Sequence, residues 1–156
     1  MDAFYYGGVV PVSVLRAAAI LLGAGAWDAA PTELACVGEK PITLYVRYLR
    51  GGAAGAVDLL IEVSPYSADG NALGTLIWSY LSVEDLGAFA AGADNLSELQ
   101  RKGPITYTAT GAGAEVFTYT LTLDRTVERI RVSARESGNV GAPGNCEIIA
   151  FQDEGK

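Results

Sequence analysis

Apolar and polar positions alternate in two runs between Ile42 and Ser64, and the rest of the chain is best read from that stretch. Ile42, Leu44, Val46 and Tyr48 fall on one side of an extended backbone, with Thr43, Tyr45, Arg47 and Leu49 on the other. After Gly51-Gly52-Ala53-Ala54-Gly55-Ala56 the alternation resumes, with Val57, Leu59, Ile61 and Val63 set against Asp58, Glu62 and Ser64. A period of two is the mark of a strand with one face buried. The two runs predict a long β-hairpin, with a glycine-rich tip that accommodates positive φ.

The same period returns further on. Thr75 to Leu81 puts Leu76, Trp78 and Tyr80 on one side and is expected as the third member of that sheet. Ile105 to Thr110 and Glu115 to Leu123, joined through Gly111-Ala112-Gly113, predict a second hairpin. In it Phe117, Tyr119, Leu121 and Leu123 point inward and Thr118, Thr120 and Thr122 outward. Glu128 to Glu136 sets Ile130, Val132 and Ala134 against Arg129, Arg131, Ser133 and Arg135, and Cys146 to Phe151 supplies a last strand. Pro31 to Val37 is a short strand, while the alanine-rich run Val14 to Trp27 fits a strand or a short helix.

Between Ser82 and Gly103 the pattern fails. Gly87, Gly92 and Gly103 interrupt any long helix, and Asn95-Leu96-Ser97-Glu98 matches a capping box. A surface excursion with at most one short helix is expected there, suited to lateral contacts. Roughly eight short strands separated by glycine turns predict an all-β fold, an antiparallel β-sandwich or jelly roll. The domain is expected over residues 14–156, behind an N-terminal arm at 1–13. Phe4, Tyr5 and Tyr6 cluster in that arm, as aromatic anchors would if it docks on a neighbouring subunit; packing on its own domain is the alternative.

Composition sharpens this picture. The chain has 156 residues, of which 50% are hydrophobic and 19% charged. The charged share is below the usual figure of about 25%, which points to subunit contacts. A net charge of -7 speaks against nucleic acid and anionic membrane as partners. The apolar run Val9 to Ala26 is broken by Pro11 and Arg16, so a membrane span is not expected, and Asp2 without an early positive charge speaks against a cleaved leader. Cys36 and Cys146 cannot form a structural zinc site alone; they fit either a bridge between the two ends of a sandwich or two buried free thiols.

Candidate chemistry is sparse. There is no histidine, which removes the commonest general base and metal ligand and leaves Ser64, Ser79 and Ser133 without an ordinary activating partner. Glycine-rich turns occur without a phosphate-loop or dinucleotide spacing, and Glu84, Asp85 and Asp94 have no spacing that suits a calcium loop or a glycosidase pair. No catalytic, cofactor-binding or metal residue is expected. Arg129, Arg131 and Arg135 form a row that suits docking on a carboxylate-rich partner, or else pairs across strands with Asp58 and Glu62. Trp27, Trp78 and the tyrosines could stack on sugars, although most occupy strand positions where core packing is commoner.

Three stretches carry a family resemblance: GAWDAAPTEL at Gly25 to Leu34, TLYVRYLRGGAAGAVDLLIEVSPYS at Thr43 to Ser67, and VERIRVSARESG at Val127 to Gly138. Together they cover about three-tenths of the chain, and in them it resembles small virion-associated proteins of tailed phages and prophages. The resemblance implies a structural role on a virus particle, capping or decorating the capsid lattice, and carries over no binding residue. The expectation is a non-enzymatic, homo-oligomeric capsid decoration or accessory protein on the capsid exterior, with a major capsid protein or other virion protein as partner. The alternative is a carbohydrate-binding module or tail-associated adhesin using exposed residues such as Tyr66 and Trp78.

Overall fold

A computed structural model describes residues 12–36, 40–65, 79–80, 104–121 and 127–152. The strands are β1 (Val12–Ile20), β2 (Glu33–Ala35), β3 (Ile42–Leu49), β4 (Ala56–Pro65), β5 (Ser79–Tyr80), β6 (Pro104–Thr108), β7 (Glu115–Leu121), β8 (Val127–Glu136) and β9 (Asn145–Gln152). They pair antiparallel in two sheets. The first sheet runs β1-β9-β3-β7; the second runs β2-β8-β4, with β5 and β6 sharing the remaining edge of β4. The first and last described strands are neighbours and successive strands repeatedly change sheet, which is the double-sheet jelly-roll arrangement.

The two expected hairpins do not form. β3 pairs with β7 and β9, whereas β4 pairs with β8, β5 and β6, so the link at 50–55 crosses from one sheet to the other. The same holds for β6, which pairs with β4, and β7, which pairs with β3. Alternation determines which face of a strand is buried, not which strand lies beside it. Packed sheets stand about 10 Å apart, a gap that a link of this length spans easily. The positive φ in the first link belongs to Ala54 (58°), not to a glycine.

The run left open as strand or helix is extended: β1 spans Val12–Ile20, and a single 3-10 turn follows at Gly23–Gly25. β1 begins inside the expected arm, with Val12 opposite Phe151 and Ser13 opposite Ala150. Phe4, Tyr5 and Tyr6, the excursion at 82–103, Tyr66 and Trp78 lie outside the described residues.

Between the sheets, Ile42, Leu44, Val46 and Tyr48 of β3 and Cys146, Ile148 and Ala150 of β9 meet Val57, Leu59 and Ile61 of β4 and Ile130, Val132 and Ala134 of β8. Tyr107 of β6 and Phe117 of β7 stack across the gap with ring centroids 4.2 Å apart. At the β1 side the sandwich is closed by a polar bridge. Arg16 Nε donates to Asp28 Oδ2 at 2.9 Å, and the same oxygen accepts the Ala134 N–H of β8 at 3.0 Å. Four links, 21–32, 50–55, 109–114 and 137–144, gather at one end, held by backbone bonds such as Leu21 N–H to Gly144 O and Ala109 N–H to Gly55 O.

Candidate functional site

The arginine row lies on the outer face of the second sheet, where β8 runs beside β4 in the register Arg131–Glu62 and Arg135–Asp58. Arg131 Nε donates to Glu62 at 2.9 Å and Arg135 to Asp58 Oδ2 at 3.0 Å, while Arg129 stands 3.9 Å from Glu33. Thr106 of β6 adds a hydroxyl bond to Asp58 Oδ1 at 2.7 Å, and Trp27 stacks under the Arg135 guanidinium at 4.3 Å. Of the two readings of the row, the structure contains the cross-strand pairing. A surface laced this way has its charges matched within the fold.

The outer face of the first sheet is different. In register across it stand Val12, Phe151, Thr43 and Thr120; next Val14, Ile149, Tyr45 and Thr118; then Glu147, Arg47 and Val116. Ile20, Asn145 and Leu49 follow at the end of the sheet. Val12, Val14, Ile20, Tyr45 and Val116 are 45–67% exposed, and the Tyr45 ring meets Phe151 edge-on at 5.0 Å. Isolated surface apolars are ordinary, but contiguous rows of them on one sheet face mark a contact surface. Period-two reading places Tyr45 and Leu49 outward, but it leaves Val14 and Ile20 in a run open to strand or helix and lacks the pairing that sets these residues side by side.

A third feature sits where the links converge. Glu136 continues the inward phase of Ile130, Val132 and Ala134, and its side chain is fully buried. Its Oε1 accepts the Tyr48 hydroxyl at 2.7 Å and Gly144 N–H at 2.9 Å. Its Oε2 accepts N–H groups from Ala56 at 2.9 Å, Asn139 at 3.1 Å and Gly138 at 3.2 Å. Burial alone would raise the carboxyl pKa, but these donors, Ala56 first, outweigh it and hold Glu136 below its ordinary value. Tyr48 is pushed up, by burial and then by its bond to Glu136.

Small residues make that convergence possible. A Cβ on Gly138 would stand 2.1 Å from Ala54 O, and one on Gly144 2.5 Å from Leu49 O. With both carboxylate oxygens engaged by the fold's own donors, Glu136 ties the ends of β3 and β4 that flank link 50–55 to link 137–144. Sequence reading placed it merely at the end of the arginine strand. The signal available was a charged residue in the inward phase of an amphipathic strand, followed by three glycines in a short loop.

The two cysteines are free, Cys146 in the core on β9 and Cys36 half-buried beyond β2 on the opposite sheet. Burial pushes Cys36 up to about 11 and Cys146 up to about 12, which leaves both thiols protonated at neutral pH. An open cleft of about 330 Å³ lies beside β1 over Leu15, Ala17 and Pro31, and its Arg16 and Asp28 are already bonded to each other. Among the described residues, no three His, Cys, Asp or Glu side chains gather as a metal site. The chain matches no protein-family model, and no curated protein is significantly similar to it.

Proposed function

We propose that this chain is a non-enzymatic structural protein of a virus particle, a decoration or accessory subunit on the exterior of a tailed-phage capsid. The observation that carries the reading is the outer face of the β1-β9-β3-β7 sheet, where rows of exposed apolar side chains stand on a chain with only 19% charged residues. Such a surface suits a subunit that is covered by other protein in use. The jelly roll is compatible with this role, being a frequent architecture of viral capsid domains, although lectins and cupins share it. The resemblance drawn from Gly25 to Leu34, Thr43 to Ser67 and Val127 to Gly138 supports the same reading.

The test is reconstitution. Purified chain is added to tailed-phage capsids assembled without it, and the pellet is assayed after sedimentation. Saturable binding at a fixed ratio to the major capsid protein is the expected result. Absence of binding, together with selective glycan binding on an array, would replace this reading with the carbohydrate-binding one.

A further inference from the structure

We infer that the outer face of the β1-β9-β3-β7 sheet is a self-association surface that receives the same face of a second copy. This rests on the structural-subunit reading above and specifies what covers the apolar rows. Three observations select a second copy. First, the face is electrically neutral on an acidic chain: its charged residues are Arg47 and Glu147, opposite one another on β3 and β9, while the whole chain carries -7. A second copy can therefore approach here without the repulsion that acidic surface elsewhere would impose.

Second, the two charges are placed for exchange. The ion pairs among the described residues, Arg16–Asp28, Arg129–Glu33, Arg131–Glu62 and Arg135–Asp58, leave Arg47 and Glu147 out. A two-fold axis along the strands, between β3 and β9, lays β9 of one copy over β3 of the other. Arg47 then faces Glu147 of the second copy, and Tyr45 faces Ile149. A two-fold contact is self-complementary in this sense, each residue meeting its counterpart's partner. Aligned sheet faces pack in this manner with their strand directions within about 30°.

Third, the area is adequate. Four strands about 4.8 Å apart, each about eight residues long at about 3.3 Å per residue, outline a face of about 19 by 26 Å. Two such faces bury on the order of 1,000 Å², the lower end of specific interfaces. The contact is thus a modest one, suited to subunits that assemble and exchange.

The experiment uses the full chain in sedimentation equilibrium across a concentration series, with circular dichroism to check folding. The expected result is a monomer–dimer equilibrium that Val14→Asp and Tyr45→Asp each shift at least tenfold toward monomer without changing the spectrum. Arg47→Glu and Glu147→Arg, each alone, are expected to weaken association similarly, and mixing those two variants is expected to restore a heterodimer. Rescue by mixing cannot come from contacts inside one copy, so it isolates the interface. A wild-type chain that stays monomeric overturns the inference, as does a dimer indifferent to all four substitutions. A monomer that still binds capsids would reject self-association alone, whereas a dimer formed through this face without capsid binding would reject the virion reading alone.

Discussion

The β8–β9 link and the β6–β7 link leave the same end of the sandwich, and each is closed on one glutamate. Glu136 collects five donors between 2.7 and 3.2 Å with no side-chain exposure. Glu115, at the start of β7 and partly exposed, collects the Gly111 N–H at 2.7 Å, the hydroxyls of Tyr107 and Thr110 at 2.8 Å and the Thr110 N–H at 3.1 Å. Both carboxyls are held below their ordinary value. In Glu115 the Thr110 N–H is the largest cause and the value falls to about 2; in Glu136 burial opposes the shift and the donors outweigh it. The chemistry is nearly the same, so the contrast lies in what replaces the acceptor when it is lost. Water reaches the donors around Glu115, whereas the Tyr48, Ala56 and Gly144 donors are buried together with Glu136 and only those of Gly138 and Asn139 lie nearer solvent, so a similar set of hydrogen bonds is worth far more at the buried site.

The largest effect that would sharpen this contrast is expected from Glu136→Ala. The buried Tyr48 hydroxyl and several N–H groups would lose their acceptor together, at a cost of about 3 to 5 kcal/mol in a denaturant titration. Glu136→Gln should recover little, because its amide nitrogen would face donors at either end, Tyr48 and Gly144 or Ala56, Gly138 and Asn139. A loss under about 1 kcal/mol for the alanine variant would show that solvent enters the site and would erase the distinction between the two links. Next comes Gly138→Ala: the added methyl meets Ala54 O at 2.1 Å and Ala56 N at 2.5 Å, so about 1 to 3 kcal/mol is expected from overpacking.

These two residues also show how far the sequence is legible. Period two identified the buried faces of β3, β4 and β8 residue by residue, because burial of one face is a local property of a strand. Partners are not local, and so the links at 50–55 and 109–114 read as hairpin tips when each crosses between sheets. The glycines of the 50–55 link read as conformational freedom, whereas in the structure Gly51 and Gly55, like Gly138 and Gly144 of the 137–144 link, admit neighbouring backbone and side-chain atoms. Glu136 was visible only as an apparent violation of its strand's inward apolar phase. Of the exposed apolar rows of the first sheet, the alternation marked only Tyr45 and Leu49 as outward; the rest needed β1 to be a strand and the order β1-β9-β3-β7 to become a surface.

Tyr48→Phe tests one donor of the buried set. It leaves the ring in the core and removes the hydroxyl bonded to Glu136 at 2.7 Å. A loss of about 1.5 to 3 kcal/mol is expected, the range for a hydrogen bond to a charged group, with the remaining four donors still holding the carboxylate. A neutral result would mean that the backbone N–H groups suffice and that the tyrosine is present for its ring alone.

The smallest global effect is expected from Glu115→Gln, and its signature is local and dependent on pH. A carboxyl with a folded pKa below its unfolded value contributes stability that is fully present above the unfolded value and is lost as pH falls through the folded one. For Glu115 that window runs from 4.5 down to about 2. Hydrogen exchange at the Thr110 and Gly111 amides, whose N–H groups Glu115 accepts, should therefore be faster in the variant than in the wild type above the window and converge on it near the lower limit. Exchange at Ala56, which bonds Glu136, should be unaffected throughout. If Ala56 loosens together with Thr110, the two glutamates belong to one cooperative clasp, and solvent access no longer separates the links.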